Sequence, residues 1–189
     1  MPPVYEGVFI VSGIPGAGKA TVSRLLAERL GNGVHIESDL LQAWIRSGGL
    51  WPNEEPAAEA QRQLRLRTKN VCLLADSYGD AGFAPVIDDV IIGVRLQNIL
   101  AGLRLRPVRF VLLTPTLEVV RERDAARGYK QVFSIWGHLD EVMRRETPRA
   151  GLWLDTSFLT VDETVDAILA RADDAILSHE NEASRLLPQ

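Results

Sequence analysis

Cysteine is almost missing from this chain, since Cys72 is the only one among 189 residues. It lies in an apolar run at 71–74, so we expect a buried, unreactive thiol, and a single cysteine excludes an internal disulfide. The first residues also lack the basic region and apolar segment of a signal peptide. Without a disulfide framework or an export signal, the sequence predicts a cytoplasmic protein.

Long apolar runs and a surplus of positive charge are missing too. No run approaches the ~20 residues that cross a bilayer, so we expect no membrane partner. The net charge of −4 argues against a nucleic-acid binder, which would normally carry a basic face. The chain is 46% hydrophobic, typical of a globular protein. We expect a single domain over residues 1–177 and a polar tail at 178–189.

The most specific motif begins where an apolar run, 8–12, breaks into a glycine-rich turn that leads into an amphipathic segment. The spacing matches the P-loop pattern G-x-x-x-x-G-K-[ST], except at its last position. Such glycines let backbone N–H groups surround a phosphate, and the lysine reaches the β- and γ-phosphates. A plain strand–turn–helix junction predicts no lysine at this position. The predicted nucleotide-binding residues are Gly13, Ile14, Pro15, Gly16, Ala17, Gly18, Lys19, Ala20 and Thr21.

Strand and helix patterns alternate along the rest of the chain. Apolar runs predict strands at 8–12, 34–37, 84–89, 108–113 and 152–155, and helical periodicity predicts helices between them. A helix after the second strand is expected from Leu40 to about Ser47, and another over 137–145. This alternation predicts an α/β protein with a parallel sheet, helices on both faces and ligands at the carboxyl ends of the strands.

Carboxylates follow two of the predicted strands. Asp88 and Asp89 end the third strand, as a Walker B carboxylate does, so Asp88 is the candidate Mg²⁺ ligand and Asp89 a candidate substrate contact. Both could instead cap the next turn. Asp39 follows the second strand, where it could act as a general base or as a simple helix cap.

Other candidates lie in segments that flank the predicted crevice. Arg123 and Arg127 share one helix face and could neutralise charge on a transferred phosphoryl group, although arginines on helices are usually just solvated. Trp44, Tyr129 and His138 are candidate acceptor contacts. The aromatic residues could equally pack helix edges, and a lone histidine is more often structural.

Taken together, five segments resemble small P-loop kinases of the chloramphenicol phosphotransferase type. These segments are 13–19, 36–41, 86–90, 121–128 and 154–157. Zeta-toxin-like, gluconate and shikimate kinases are more distant relatives. The resemblance implies a five-stranded parallel sheet in the order 2-3-1-4-5, a lid at about 121–137 and an acceptor region at about 39–80. It also implies ATP and Mg²⁺ as cofactors, Asp39 as base, and Arg123 and Arg127 as lid arginines.

Ala20 departs from this family, which carries Ser or Thr there as a Mg²⁺ ligand. Thr21 should not replace it, because one residue along a helix rotates a side chain by roughly 100°. Two hypotheses follow. The first is a kinase that transfers the γ-phosphate of ATP to a hydroxyl of a small molecule, such as an antibiotic, nucleoside or metabolite. The second is a nucleotide-binding regulatory or interaction protein with impaired turnover.

Overall fold

A five-stranded parallel sheet forms the centre of the protein, whose computed structural model describes residues 1–126 and 133–177. The strand order is β2-β3-β1-β4-β5, which confirms the predicted α/β fold and sheet order. The strands are β1 (Val8–Ser12), β2 (Gly33–Glu37), β3 (Ala84–Asp88), β4 (Val108–Leu113) and β5 (Leu152–Leu154).

The three middle strands carry the core. Every residue of β1, β3 and β4 is buried, as expected for strands that are covered on both faces. Within the sheet, Val11 of β1 pairs with Asp88 of β3, and Glu37 of β2 pairs with the same residue. The register therefore aligns the carboxyl ends of β1, β2 and β3 along one edge.

Helices connect the strands and cover the sheet. Helix α1 (Lys19–Arg29) packs against β2, β3 and α8 (Val161–Ala170), while α3 (Ala57–Asp80) packs against β2, β3 and α4 (Val94–Gly102). The helices among the described residues are α1 (Lys19–Arg29), α2 (Ser38–Ala43), α3 (Ala57–Asp80), α4 (Val94–Gly102), α5 (Leu117–Ala126), α6 (Phe133–Trp136), α7 (Leu139–Glu146) and α8 (Val161–Ala170). No helix in these described ranges is long and apolar enough to cross a membrane.

Two helices differ from their sequence prediction. Helix α2 begins at Ser38 and ends at Ala43, and its N-cap, Glu37, makes no side-chain cap bond. It stops early because Gln42 turns inward and donates to the carbonyl of Leu50, which folds the following loop back onto the helix. The helix predicted over 137–145 is found as α7, which begins at Leu139 and ends at Glu146, and the short helix α6 lies before the predicted range.

Candidate active site

The glycine-rich turn at 13–18 joins β1 directly to α1. Gly18 is the N-cap of α1 with a φ of 96°, and among the described residues no side chain makes a cap hydrogen bond to the start of the helix. The first N–H groups of the helix and the positive end of its dipole are suited to an anion. Gly16 has a φ of 92°, and a Cβ there would lie 2.8 Å from Cγ1 of Val120. The turn therefore needs glycine both for its backbone conformation and for its close approach to α5.

The side chains of this turn point in different directions. Lys19 donates from Nζ to the carbonyl of Ile14 at 3.2 Å, so its ammonium group curls back over the loop. Ile14 and Ala17 are 1% exposed and anchor the turn in the core. Ala20 and Thr21 are exposed on the first turn of α1. Thr21 lies on the wall of an adjoining cleft.

This cleft, of about 370 Å³, opens beside the outer side of the turn. Its size is within the range of small-molecule sites. Arg123 crosses it, donating from Nη2 to the carbonyl of Thr156 at 2.8 Å and from Nη1 to that of Ala17 at 3.4 Å. Burial lowers the pKa of Arg123 from its ordinary value. The cleft is lined by Gly16, Ala17, Gly18, Thr21, Val22, Arg123, Thr156, Leu159, Thr160, Val161 and Thr164.

At the end of β3, Asp88 is 6% exposed and lies next to β1, the strand that leads into the glycine-rich turn. Nε2 of His35 on β2 lies 3.8 Å from Oδ2 of Asp88. Within residues 1–126 and 133–177, no cluster of three or more His, Cys, Asp or Glu side chains could hold a metal ion by itself. A Mg²⁺ ion at Asp88 would therefore take its other ligands from phosphate oxygens and water, as this ion commonly does.

Four charged side chains near the carboxyl ends of β2 and β3 are linked to one another by hydrogen bonds. Arg67 of α3 donates from Nη1 to Oδ1 of Asp39 at 3.1 Å and from Nη2 to Oδ1 of Asp89 at 2.9 Å. Arg95 of α4 donates to Oδ2 of the same Asp89 at 2.8 Å. We call these four residues the carboxylate–arginine chain. It connects α2, α3, α4 and the end of β3.

Asp89 is the buried centre of the carboxylate–arginine chain. Burial alone would raise the pKa of its carboxyl, but Arg95, Arg67 and the N–H of Val90 outweigh that effect and hold the pKa below its usual value. Asp89 is 4% exposed, and its oxygens bind these partners. The structure thus places it beneath the surface of the site, whereas the side chain of Asp39 is 52% exposed.

The remaining predicted residues are more scattered. Trp44 ends α2 with 68% of its surface exposed, and His138 precedes α7 with its ring stacked on Trp136 at 6.3 Å between centroids. Arg127 and Tyr129, with part of the predicted lid, lie outside the described residues, as does the tail 178–189.

Sequence reasoning missed Arg67 and Arg95. A signal for Arg67 did exist, because Gln63, Arg67, Val71 and Ala75 repeat every four residues along one buried face of α3. An arginine within such a stripe indicates a buried partner. Arg95 follows Gly93 in a loop-to-helix junction, and no comparable pattern marks it.

Comparison with protein families matches residues 10–144 to the AAA_18 model, described as an AAA domain. That range spans more than half of the chain, so the protein belongs to this family of P-loop domains. A UPF0200 protein of Aeropyrum pernix is 27% identical over 152 residues, which cover 77% of this chain and 68% of that protein.

Among solved structures, a sugar kinase from Janibacter sp. HTCC2649 superimposes with a TM-score of 0.66 at 19% identity, covering 90% of this chain and 96% of the kinase. The Mycobacterium tuberculosis APS kinase CysC, in complex with AMPPNP and APS, matches with a TM-score of 0.64 at 16% identity, covering 90% and 99%. A tunicamycin resistance protein, a gluconokinase and a shikimate kinase share the fold as well. The fold is that of small-molecule P-loop kinases, which confirms the predicted resemblance.

Proposed function

We propose that this protein is an ATP-dependent phosphotransferase that moves the γ-phosphate of ATP to a hydroxyl of a small molecule. One observation carries the proposal: the glycine-rich turn, Asp88 and Asp39 lie at the carboxyl ends of three neighbouring parallel strands, β1, β3 and β2. A candidate phosphate site, a candidate metal ligand and an exposed carboxylate therefore share one edge of the sheet. Phosphoryl transfer needs these three parts in one crevice.

The nucleotide is assigned to the glycine-rich turn and the adjoining cleft. Backbone N–H groups at the start of α1 hold the phosphates, and Lys19 leaves the Ile14 carbonyl to reach the β- and γ-phosphates. The adenine ring of ATP occupies the 370 Å³ cleft, where Arg123 lies between the glycine-rich turn and the segment after β5. In this position Arg123 is close to the phosphate turn and contributes positive charge there. Arg127 is the second lid arginine of the proposal.

Mg²⁺, when bound, would supply positive charge that neutralises the phosphates of ATP. Asp88 is the protein residue proposed to hold it, directly or through water. Ala20 has no side-chain oxygen, so water would take the place of the hydroxyl that this position usually supplies.

On the acceptor side, Asp39 orients the attacking hydroxyl and takes its proton. The hydroxyl oxygen forms a bond to the γ-phosphorus while the bond from that phosphorus to the β,γ-bridging oxygen breaks, and ADP leaves with those electrons. The proton of the hydroxyl goes to the Asp39 carboxylate. Trp44, Tyr129 and His138 are the proposed acceptor contacts, and Asp89 supports the acceptor side from its buried position.

The test incubates the full-length protein with Mg²⁺ and ATP and a panel of sugars, gluconate, shikimate, ribonucleosides and amphenicol antibiotics. ADP release is followed together with the mass of the acceptor. Release of ADP with a matching phosphorylated product supports the kinase.

A second candidate function is a nucleotide-binding regulatory protein, favoured by Ala20. Tight ATP binding with no acceptor-dependent ADP release would support that function instead. Failure to bind ATP at all would contradict both functions.

A further inference from the structure

Arg67 is the residue that joins the exposed candidate base to the buried part of the protein. Its two Nη atoms donate to different carboxylates, one to Oδ1 of Asp39 and the other to Oδ1 of Asp89. No hydrogen bond to Oδ2 of Asp39 is found within the described parts of the chain. The planar guanidinium therefore hydrogen-bonds Oδ1 of Asp39 and leaves Oδ2 available to a ligand in the crevice.

Burial prevents Arg67 from acting as a ligand of the acceptor itself. Its side chain is 4% exposed, and both terminal nitrogens are already engaged by carboxylates. Among its other donors, Nε is buried and has no hydrogen-bond partner among the described residues. An anionic group of an acceptor would have to displace Asp39 or Asp89 to reach this arginine.

Stability alone does not account for this arrangement. Buried ion pairs are often no more stabilising than apolar side chains of the same size, and an unpaired buried N–H adds a cost. What the pairing does provide is a fixed direction, because a guanidinium holds its N–H groups in one rigid plane. Asp89 fixes that plane, since it is itself held by Arg95 and by the N–H of Val90.

We infer that Arg67 is a positioning residue, which holds Asp39 through Oδ1 so that Oδ2 faces the acceptor hydroxyl, with Asp89 and Arg95 as its anchor. This inference rests on the proposed kinase function. It assigns Arg67 a role in the rate of transfer and none in binding ATP. It also assigns Asp89 to the support of the base, without contact to the acceptor.

The experiment measures kcat and KM for ATP, using the panel acceptor that gives the wild type its highest rate. The variants are Arg67→Met, Arg67→Lys, Asp39→Asn and the double variant Arg67→Met/Asp39→Asn. Arg67→Met is expected to lower kcat by about 10²-fold, the scale of losing a general base, with KM for ATP unchanged. Arg67→Lys keeps the positive charge, so it should be faster than Arg67→Met. It should recover only part of the wild-type rate, because one ammonium group cannot hold both carboxylates in the same plane.

Non-additivity separates positioning from general damage. If Arg67 acts through Asp39, the double variant is no slower than Asp39→Asn alone. A multiplied loss in the double variant, or an Arg67→Met enzyme with the wild-type kcat, would overturn the inference. A wild type that phosphorylates no acceptor contradicts the proposed function instead, so the two failures are distinguishable.

Arg104 supplies a matched control, since it also bridges two aspartates. It donates to Asp80 at 2.8 Å and lies 3.4 Å from Asp76, but its side chain is 68% exposed, and it follows α4 and contacts the C-terminal end of α3. Arg104→Met should leave kcat unchanged. If Arg67→Met does not fold, Arg67→Met/Asp89→Asn takes its place, because it removes the buried negative charge together with its partner. The same loss of kcat is expected from it.

Discussion

The two halves of the site are built in different ways. The nucleotide half, made of the turn at 13–18, Lys19, Asp88 and the cleft beside Arg123, is mainly a property of the backbone. Its glycines set the turn, and the start of α1 supplies the N–H groups. The acceptor half is the carboxylate–arginine chain, in which side chains 22 and 28 residues apart hold one another.

This difference predicts different responses to mutation. Backbone N–H groups stay in place when one side chain is replaced, so the nucleotide half should lose particular contacts and keep its shape. In the carboxylate–arginine chain each side chain is held by the next one, so a single replacement alters the position of its neighbours. Four predictions test this contrast.

The largest effect is expected at Lys19. Lys19→Ala removes the one cation within the glycine-rich motif, so it should abolish measurable phosphoryl transfer and weaken ATP binding. The thermal midpoint should stay near that of the wild type, because the turn is fixed by its glycines. ATP titration calorimetry and circular dichroism check both parts. Near-normal transfer would refute the assignment of the nucleotide half.

Asp39→Asn should reduce turnover by about 10²- to 10⁴-fold, the range for general acid–base catalysis. ATP affinity should hardly change, since the carboxylate belongs to the acceptor half. The thermal midpoint should also be preserved, because the N-cap of α2 is Glu37 and Asp39 is half exposed. A lower midpoint with unchanged turnover would show a purely structural role.

Asp89→Asn tests the buried centre of the acceptor half through stability. At pH 7 this change removes the negative charge that Arg67 and Arg95 share. Breaking a buried ion pair lowers the free energy of unfolding by about 3–5 kcal/mol. The pKa of Asp89 is lowered in the folded protein, so its contribution is present above the unfolded value of about 3.9 and is lost as the pH falls through the folded value.

The stability difference between wild type and Asp89→Asn should therefore shrink when the pH falls below about 4. Urea unfolding at pH 7 and pH 3 measures this difference. A gap that stays constant at both pH values would mean that Asp89 carries no stabilising charge.

The smallest effect is expected from Ala20→Ser, which adds an oxygen to the nucleotide half without disturbing its backbone. The Mg²⁺ midpoint for turnover should fall by about tenfold, the lower end of reported effects of residues that support a metal site. Thr21→Ala is the control, because Thr21 faces the cleft and should not alter that midpoint. Coincident Mg²⁺ curves for wild type and Ala20→Ser would show that position 20 never contacts the metal.

The contrast between the halves also explains what the sequence could predict. The glycine-rich turn of the P-loop pattern and the five strands depend on residues close in sequence, and the structure contains both. The partner of Asp39 could not be predicted, because Arg67 is 28 residues away, and its place on the buried face of α3 indicates that it has a partner without indicating which one. The early end of α2 was missed for the same reason, since it depends on a contact of Gln42 outside the helix.

Asp88 and Asp89 are separated by a single peptide bond, yet one faces His35 and the other contacts Arg67. Neighbouring residues at a strand end point to opposite sides, so a shift by one residue would exchange their directions. In evolutionary terms, an insertion or deletion within 84–88 would damage both halves at once. A change of length in the loop at 44–56 would not exchange the directions of Asp88 and Asp89, because both residues lie outside that loop. Lineages that acquire new acceptors are therefore expected to vary in length at 44–56 and to keep the length of β3.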